Sequence, residues 1–386
     1  MTVTKKEQPD IEPSWIDLNV KPSELQLDRT LMCGQAFRWK STGEQEWTCA
    51  LWDHVIDLKQ TPETVLCRSL GHLPSANIAA HCPDSIVSAL SDYFQLKESL
   101  ESHCDRWAAI DPDFASLRKT QLGVRALRQP VVENLLTFIA SSNNNIKRIT
   151  MLIDKLSTRY GRPIDTLKGR FYTFPRVQDI AKDISIEDTL IKLGFGYRAK
   201  YYDKTIKLLA EHQDPEQFLL GLRSQPWAHA KAQLMQFSGV GPKVADCVCL
   251  MSLDKINAVP IDTHIWQIAQ KRYVGRILAS GLGSEHEIQV GDDKRKSLAL
   301  LARQLASAKK PTMATYEAAQ QLLLQLFSPH AGWAQLLLFT KDLPHLNDSK
   351  PAKQTKRKTE ATVVARTVAV TVKSTMTLRS TRRKAK

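Results

Sequence analysis

Residues 237–266, FSGVGPKVADCVCLMSLDKINAVPIDTHIW, constrain this chain more than any other stretch. A tight loop, Ser238-Gly239-Val240-Gly241-Pro242, precedes Lys243 and an apolar run. Two glycines two apart admit backbone angles that other residues resist. Pro242 suits the first position of a helix, where its missing N–H is no loss. The pattern predicts a helix from Lys243 to about Leu253 and another over 228–236: helix, hairpin, helix.

That arrangement points to phosphate. Free N–H groups at a helix start, with the loop glycines, form an anion site. A lysine there is unusual, because the positive end of the helix dipole disfavours its charged form. Desolvation pushes the same way. From an unperturbed value near ~10.4, such a shift favours the neutral amine, the nucleophilic form. A helix over 242–253 is about 18 Å long at ~1.5 Å per residue. The return segment through Pro260 spans up to about 23 Å if extended at ~3.3 Å per residue. It can bring Asp262 back beside Lys243.

Composition bounds the rest. At 386 residues, with 42% apolar and 24% charged, the chain exceeds one compact core and suits a soluble protein of two or three domains. It has no apolar run long enough for a membrane span, and MTVTKKEQPD lacks a secretory core. Of the net charge of +14, most lies in residues 350–386, where twelve Lys/Arg face one Glu. Any anion-binding face on the folded part must therefore be local. The seven scattered cysteines contain no CxxC, which argues against a disulfide frame or zinc ribbon and for a reducing compartment.

Along the chain, residues 1–20 read as a flexible N-terminus. Short apolar runs at 47–51, 55–58 and 65–70, after a turn at Ser41-Thr42-Gly43, predict an antiparallel meander. Residues 21–129 form this sheet domain with flanking helices. Residues 130–343 read as a helical domain, with helices at about 186–193, 199–212, 214–223, 228–236, 243–253, 263–273, 296–308, 313–327 and 332–340. Residues 281–293 read as a polar surface break, and 344–386, carrying KQTKRK and STRRKAK, as a disordered basic tail. The fold class is α+β: an N-terminal antiparallel sheet, then a two-part helical region containing the hairpin.

Several motifs, GVGPK, ADC and PIDTHIW in this order, resemble the helix-hairpin-helix DNA glycosylases with a lysine nucleophile. Cys247, SSNNN and GWAQ narrow the resemblance to the eukaryotic 8-oxoguanine DNA glycosylases, over about residues 24–343. His330, where a tyrosine is familiar, and Thr263, in place of valine, depart from the pattern without removing a catalytic atom.

The resemblance implies a bifunctional glycosylase and lyase that excises 8-oxoguanine paired with cytosine from duplex DNA, as a monomer and without a cofactor or metal. Lys243 is the implied nucleophile and Asp262 its acidic partner. Asp262 also suits a helix N-cap, and both roles can coexist. Cys247 shares a helix face with Lys243 and is the implied wall of a base pocket, against the bland reading of a core thiol. Phe339 is the opposite wall, and Gln335, one turn before it, reads the base. The implied selector is the Gly34 carbonyl, which meets the N7–H that guanine lacks; its alternative is a strand bulge.

Asn143, Arg148 and Arg198 are the implied contacts to the unpaired cytosine, although part of SSNNN must cap the next helix. Tyr197 is an implied wedge, and Gly239, Gly241 and His264 are phosphate contacts. The basic tail lies outside the match. It suits nuclear import or DNA attraction, so a nuclear location is expected, with a mitochondrial pool left open.

Overall fold

The computed structural model describes residues 13–74, 83–120, 123–279, 288–309, 311–343 and 346. The expected tail and most of the 281–293 break fall outside these. At the end of that break, Asp292 and Asp293 open the Asp292–Ala306 helix, placing acidic groups on its positive end.

Five strands form one antiparallel sheet: β1 (Ile16–Asp17), β2 (Lys40–Gly43), β3 (Glu46–Leu51), β4 (His54–Gln60) and β5 (Val65–His72), in the order β1-β5-β4-β3-β2. The meander is present, with two changes from expectation. The loose N-terminus ends earlier, because Ile16 and Asp17 pair with Cys67 and Leu66 and both Leu18 and Val20 are buried. Ser41-Thr42-Gly43 is strand, not turn; the reversal falls after it, where Gln45 adopts a positive φ of 56°.

The sheet is covered on both faces. Trp47, Cys49, Leu51, Ile56 and Leu58 join one apolar core with the Pro83–Tyr93 helix. The intervening residues pack against a second hairpin, β6 (Pro163–Thr166) and β7 (Gly169–Tyr172). Ala50 and Val55 meet its Ile164 and Phe171. This hairpin interrupts a region whose sequence reads as helical almost throughout. Its four-residue strands are too short for periodicity to separate them from loop.

The hairpin also explains a buried charge cluster. Asp57 is fully buried and accepts from Thr48 Oγ1 at 2.7 Å and Arg68 Nε at 3.0 Å. Lys168, in the β6–β7 turn, reaches it at 2.9 Å and Glu46 at 2.6 Å.

The helices lie where the sequence places them, to within a few residues. Ile186–Leu193 and Met313–Phe327 match at both ends, and the expected 263–273 helix turns into a π-helical segment at Ala269–Val274. Leu100, Cys104, Trp107, Phe114 and Leu117 belong to the helical core, although they precede the 129/130 boundary. The chain is one compact unit as far as Leu346. No described helix is by itself long and apolar enough to cross a membrane.

One strut joins these parts. Arg125 is fully buried, bonds Glu24 Oε2 at 2.6 Å and the Phe94 carbonyl at 2.8 Å, and lies 5.2 Å from the Trp333 ring centre.

Replacing Lys168 by Met leaves the buried Asp57 with one cation instead of two. Urea unfolding should show a loss of about 2–3 kcal/mol. An unchanged midpoint would remove Lys168 from its clamping role.

Candidate active site

The hairpin forms as its sequence dictates. Helix Trp227–Leu234 leads through the glycine turn into helix Pro242–Ser252, with Pro242 in its first turn. Gly239 has φ +82°, and a Cβ there would sit 2.8 Å from the Tyr201 ring, so only glycine fits. Gly241 differs from expectation. Its φ of −93° suits any residue, and a Cβ would meet nothing within 4 Å. Its usefulness is the open space beside a helix N-terminus, where an anion can approach the backbone.

Lys243 is half-buried; its Nζ donates to Ser141 Oγ at 3.2 Å and sits 4.6 Å from the Phe138 ring centre. Asp262 caps the Thr263–Ile268 helix, its Oδ1 accepting from the N–H groups of His264 at 3.0 Å and Ile265 at 2.8 Å. Both charges act on Cys247. Burial pushes that thiol up to about 11, Lys243 pulls it down and Asp262 raises it. The thiol therefore stays neutral between them. Among the described residues no ion pair joins Lys243 to Asp262; the lysine is held by a hydroxyl and an aromatic face instead.

The base-pocket candidates converge from another direction. Gln335 lies on the Ala331–Lys341 helix, only 6% exposed, and its Oε1 is buried with no hydrogen-bond partner. An orphaned buried acceptor costs about 1–3 kcal/mol. Phe339, one turn on, packs edge-to-face with His264 at 5.3 Å. His264 Nε2 is 3.6 Å from Asp342 Oδ2.

Gly34 is not at a strand edge. It lies in the irregular chain before β2 with φ +86°, and a Cβ would come within 2.9 Å of Ile146 Cδ1. Its neighbour Cys33 is fully buried in the same apolar core as Leu336 and Leu337. Gln35 fixes the segment by donating to the carbonyls of Thr30 and Arg125, both at 2.8 Å. The Gly34 segment is thus anchored to the helical core and lies against Ile146.

The SSNNN loop has divided duties. Asn145 caps the Ile146–Tyr160 helix through the Arg148 N–H at 3.0 Å. Asn144 donates to the Ala140 carbonyl at 2.9 Å, and Asn143 is exposed at φ +47°. Arg148 is exposed, with Nη2 3.4 Å from the Gly194 carbonyl.

Arg198, an implied contact to the unpaired cytosine, is buried against the same loop. It is 3% exposed and donates to the Ser142 and Asn143 carbonyls. In this state it braces the loop. Tyr197 is 53% exposed, stacked against Arg198 at 4.5 Å, with its hydroxyl on the Ser142 carbonyl at 3.1 Å.

Sequence reasoning missed Ser141 and Phe138 as partners of Lys243. Neither is near it in sequence, and nothing local marks them. A cleft of about 820 Å³ lies elsewhere, lined by residues such as Arg38, Glu133, Arg176 and Glu216. Its Arg38 and Glu133 pair at 2.7 Å, and Glu216 caps Val131 at 2.7 Å, so these charges are already engaged.

Potential ligand atoms of Glu98, His103 and His330 all lie within 4.8 Å of one another. Arg106 Nη2 donates to His103 Nδ1 at 2.5 Å. This leaves the ring proton on Nε2, 3.2 Å from Glu98, a tautomer that does not suit a metal. The two imidazoles stack at 3.9 Å and join the Leu100–Ile110 helix to the start of the Gln335 helix.

A family model described as "8-oxoguanine DNA glycosylase, N-terminal domain" matches residues 17–135. The chain is 34% identical over 337 residues to N-glycosylase/DNA lyase OGG1 of Arabidopsis thaliana, covering 86% of this chain and 81% of that protein. It is 31% identical to the N-glycosylase/DNA lyase of Saccharomyces cerevisiae, covering 84% and 85%. Its fold matches MBOgg1 in complex with a low affinity DNA ligand, with a TM-score of 0.65 at 24% identity over 88% of this chain and 98% of that one. It also matches the 8-oxoguanine glycosylase/lyase of Clostridium acetobutylicum bound to double-stranded DNA with cytosine opposite 8-oxoguanine, at 0.63 and 21% over 85% and 94%.

The chain is an N-glycosylase/DNA lyase, the class to which these relatives assign it. More narrowly, it belongs to the 8-oxoguanine DNA glycosylase (OGG1) family, with plant and yeast relatives along most of its length.

The histidine stack carries a pH dependence. Burial first, then His330 and Arg106, lower His103 to about 4; burial likewise lowers His330. Unfolded histidine titrates near ~6.5. The unfolded chain therefore binds more protons between these values, so stability is full above about 6.5 and is lost as pH falls toward 4. Melting temperatures from pH 7 to 4.5 should fall less steeply for His103→Leu than for the wild type. Parallel slopes would discount the stack.

Proposed function

We propose that this enzyme excises 8-oxoguanine paired with cytosine by direct attack of Lys243. The observation that carries the reading is Lys243 in the first turn of the Pro242–Ser252 helix, with Asp262 at the head of Thr263–Ile268 and both charges acting on the buried Cys247 thiol. The damaged nucleotide leaves the duplex stack to reach this pocket. The amine of Lys243 forms a bond to C1′ as the N-glycosidic bond breaks, and the electron pair departs with the base. Asp262 stabilises the positive charge that builds on the sugar. Opening of the sugar ring gives a Schiff base. Loss of a C2′ proton then expels the 3′ phosphate by β-elimination.

Recognition follows the same surroundings. Cys247 and Phe339 enclose the base, and the orphaned Oε1 of Gln335 accepts from its Watson–Crick edge. The Gly34 carbonyl accepts the N7–H of 8-oxoguanine and repels guanine, whose N7 is itself an acceptor. Exposed Tyr197 wedges into the stack, while Asn143, Arg148 and Arg198 meet the widowed cytosine. For Arg198 this requires release from the loop carbonyls it now holds. The turn around Gly239 and Gly241, with His264, grips the phosphate. The protein acts as a monomer in the nucleus, and a mitochondrial pool is compatible with this chemistry.

Lys243→Gln should abolish base release from a duplex carrying one 8-oxoguanine while keeping duplex affinity, and borohydride should trap the wild type but not the variant. Excision by the variant at the wild-type rate would falsify the assignment.

The basic residues at 350–386 lie outside the described structure. Truncation after Asn347 should leave excision intact and weaken low-salt DNA affinity or nuclear accumulation. If neither moves, the tail has no such role.

A further inference from the structure

Asp246 is a fully buried carboxylate that the reaction itself does not touch. It lies on the Pro242–Ser252 helix, between Lys243 and Cys247. Its Oδ1 accepts from Trp227 Nε1 at 3.0 Å. Its Oδ2 accepts from Lys231 Nζ at 2.7 Å, Tyr316 Oη at 2.6 Å and Gln320 Nε2 at 2.8 Å. Trp227 and Lys231 belong to the first hairpin helix; Tyr316 and Gln320 belong to the Met313–Phe327 helix.

The second of these helices reaches further. Tyr316 Oη accepts the N–H of Ile261 at 3.4 Å, and Gln320 Nε2 also donates to the Val259 carbonyl at 2.8 Å. Val259 and Ile261 are the extended chain that ends in Asp262. The hydroxyl can accept from Ile261 because its own proton is committed to Asp246. Burial and the neighbouring carboxylate raise the Tyr316 pKa and keep that proton in place.

We propose that Asp246 is a positioning residue for the reaction: through Tyr316 and Gln320 it sets Asp262 in register with Lys243. The nucleophile's helix and the acidic residue's segment touch one polar hub from opposite sides. No direct ion pair does this job, since none joins Lys243 to Asp262 among the described residues. Four donors on one carboxylate also make the hub stiff. A neutral amide at 246 can serve fewer of them, and it leaves the Lys231 ammonium without its partner. A misplacement on the order of 1 Å at such a site is worth about 100-fold in rate.

This inference rests on the glycosylase reading, so its test must separate the two. Single-turnover excision, duplex affinity and melting temperature would be measured for the wild type, Tyr316→Phe, Asp246→Asn and Asp246→Asn/Lys231→Met. Lys231→Met removes the stranded ammonium, so the double variant should regain melting temperature lost by Asp246→Asn. Positioning predicts that excision stays slowed about 10- to 100-fold in all three variants, with affinity within about twofold because no DNA contact is removed. Tyr316→Phe cuts the link to Ile261 with little change in packing and keeps the test usable if the Asp246 variants fold poorly.

Excision that recovers together with melting temperature in the double variant, or that is unaffected in Tyr316→Phe, overturns the proposal. A failure of the glycosylase reading looks different: the wild type itself would release no base, and the positioning role would fall with it.

Discussion

A carboxylate withdrawn from water must have its lone pairs met by donors, because an unmatched buried charge is among the most destabilising things a fold can hold. Asp246 meets that requirement with donors from two flanking helices. The demand fixes how the two hairpin helices cross and where the Met313–Phe327 helix lies against them. Lys243, three residues before Asp246, emerges at the end of the helix so fixed. The same demand, met by Arg68 and Lys168 at Asp57, holds the second hairpin over the sheet. Buried charges thus act as the pins between elements, and apolar clusters fill the space between pins.

Some buried polar groups of the helical region are left unmatched by the protein. Gln335 Oε1 and the indole nitrogens of Trp266 and Trp333 are buried without partners. Arg198 is fully engaged by backbone carbonyls. On the proposed reading, an amide oxygen that is to meet a base has to be left unmatched by the protein itself. The loop at Ser142 and Asn143, meanwhile, is held in shape by its contacts to Arg198.

The tyrosine-to-histidine departure at 330 has a local account. His330 adopts a positive φ of 73° and stacks on His103, which is itself 5% exposed. The two rings and Glu98 brace the start of the helix bearing Gln335 and Phe339. The ring at 330 therefore works in packing, against His103 and Trp333.

The sequence by itself determined the helix-hairpin-helix, most helix bounds and the meander, because these depend on local periodicity, on glycine and proline, and on caps. It also placed Lys243, Asp262, Cys247, Gln335 and Phe339 as candidates, since a resemblance carried by several ordered motifs needs no coordinates. Tertiary structure alone decided what lies beyond a turn or two of chain. Ser141 under Lys243, Phe138 behind it, the 163–172 hairpin on the sheet and the Tyr316–Ile261 link all join residues far apart in sequence. No periodicity encodes such meetings; they arise when burial forces each polar group to find a partner wherever the packed chain has brought one.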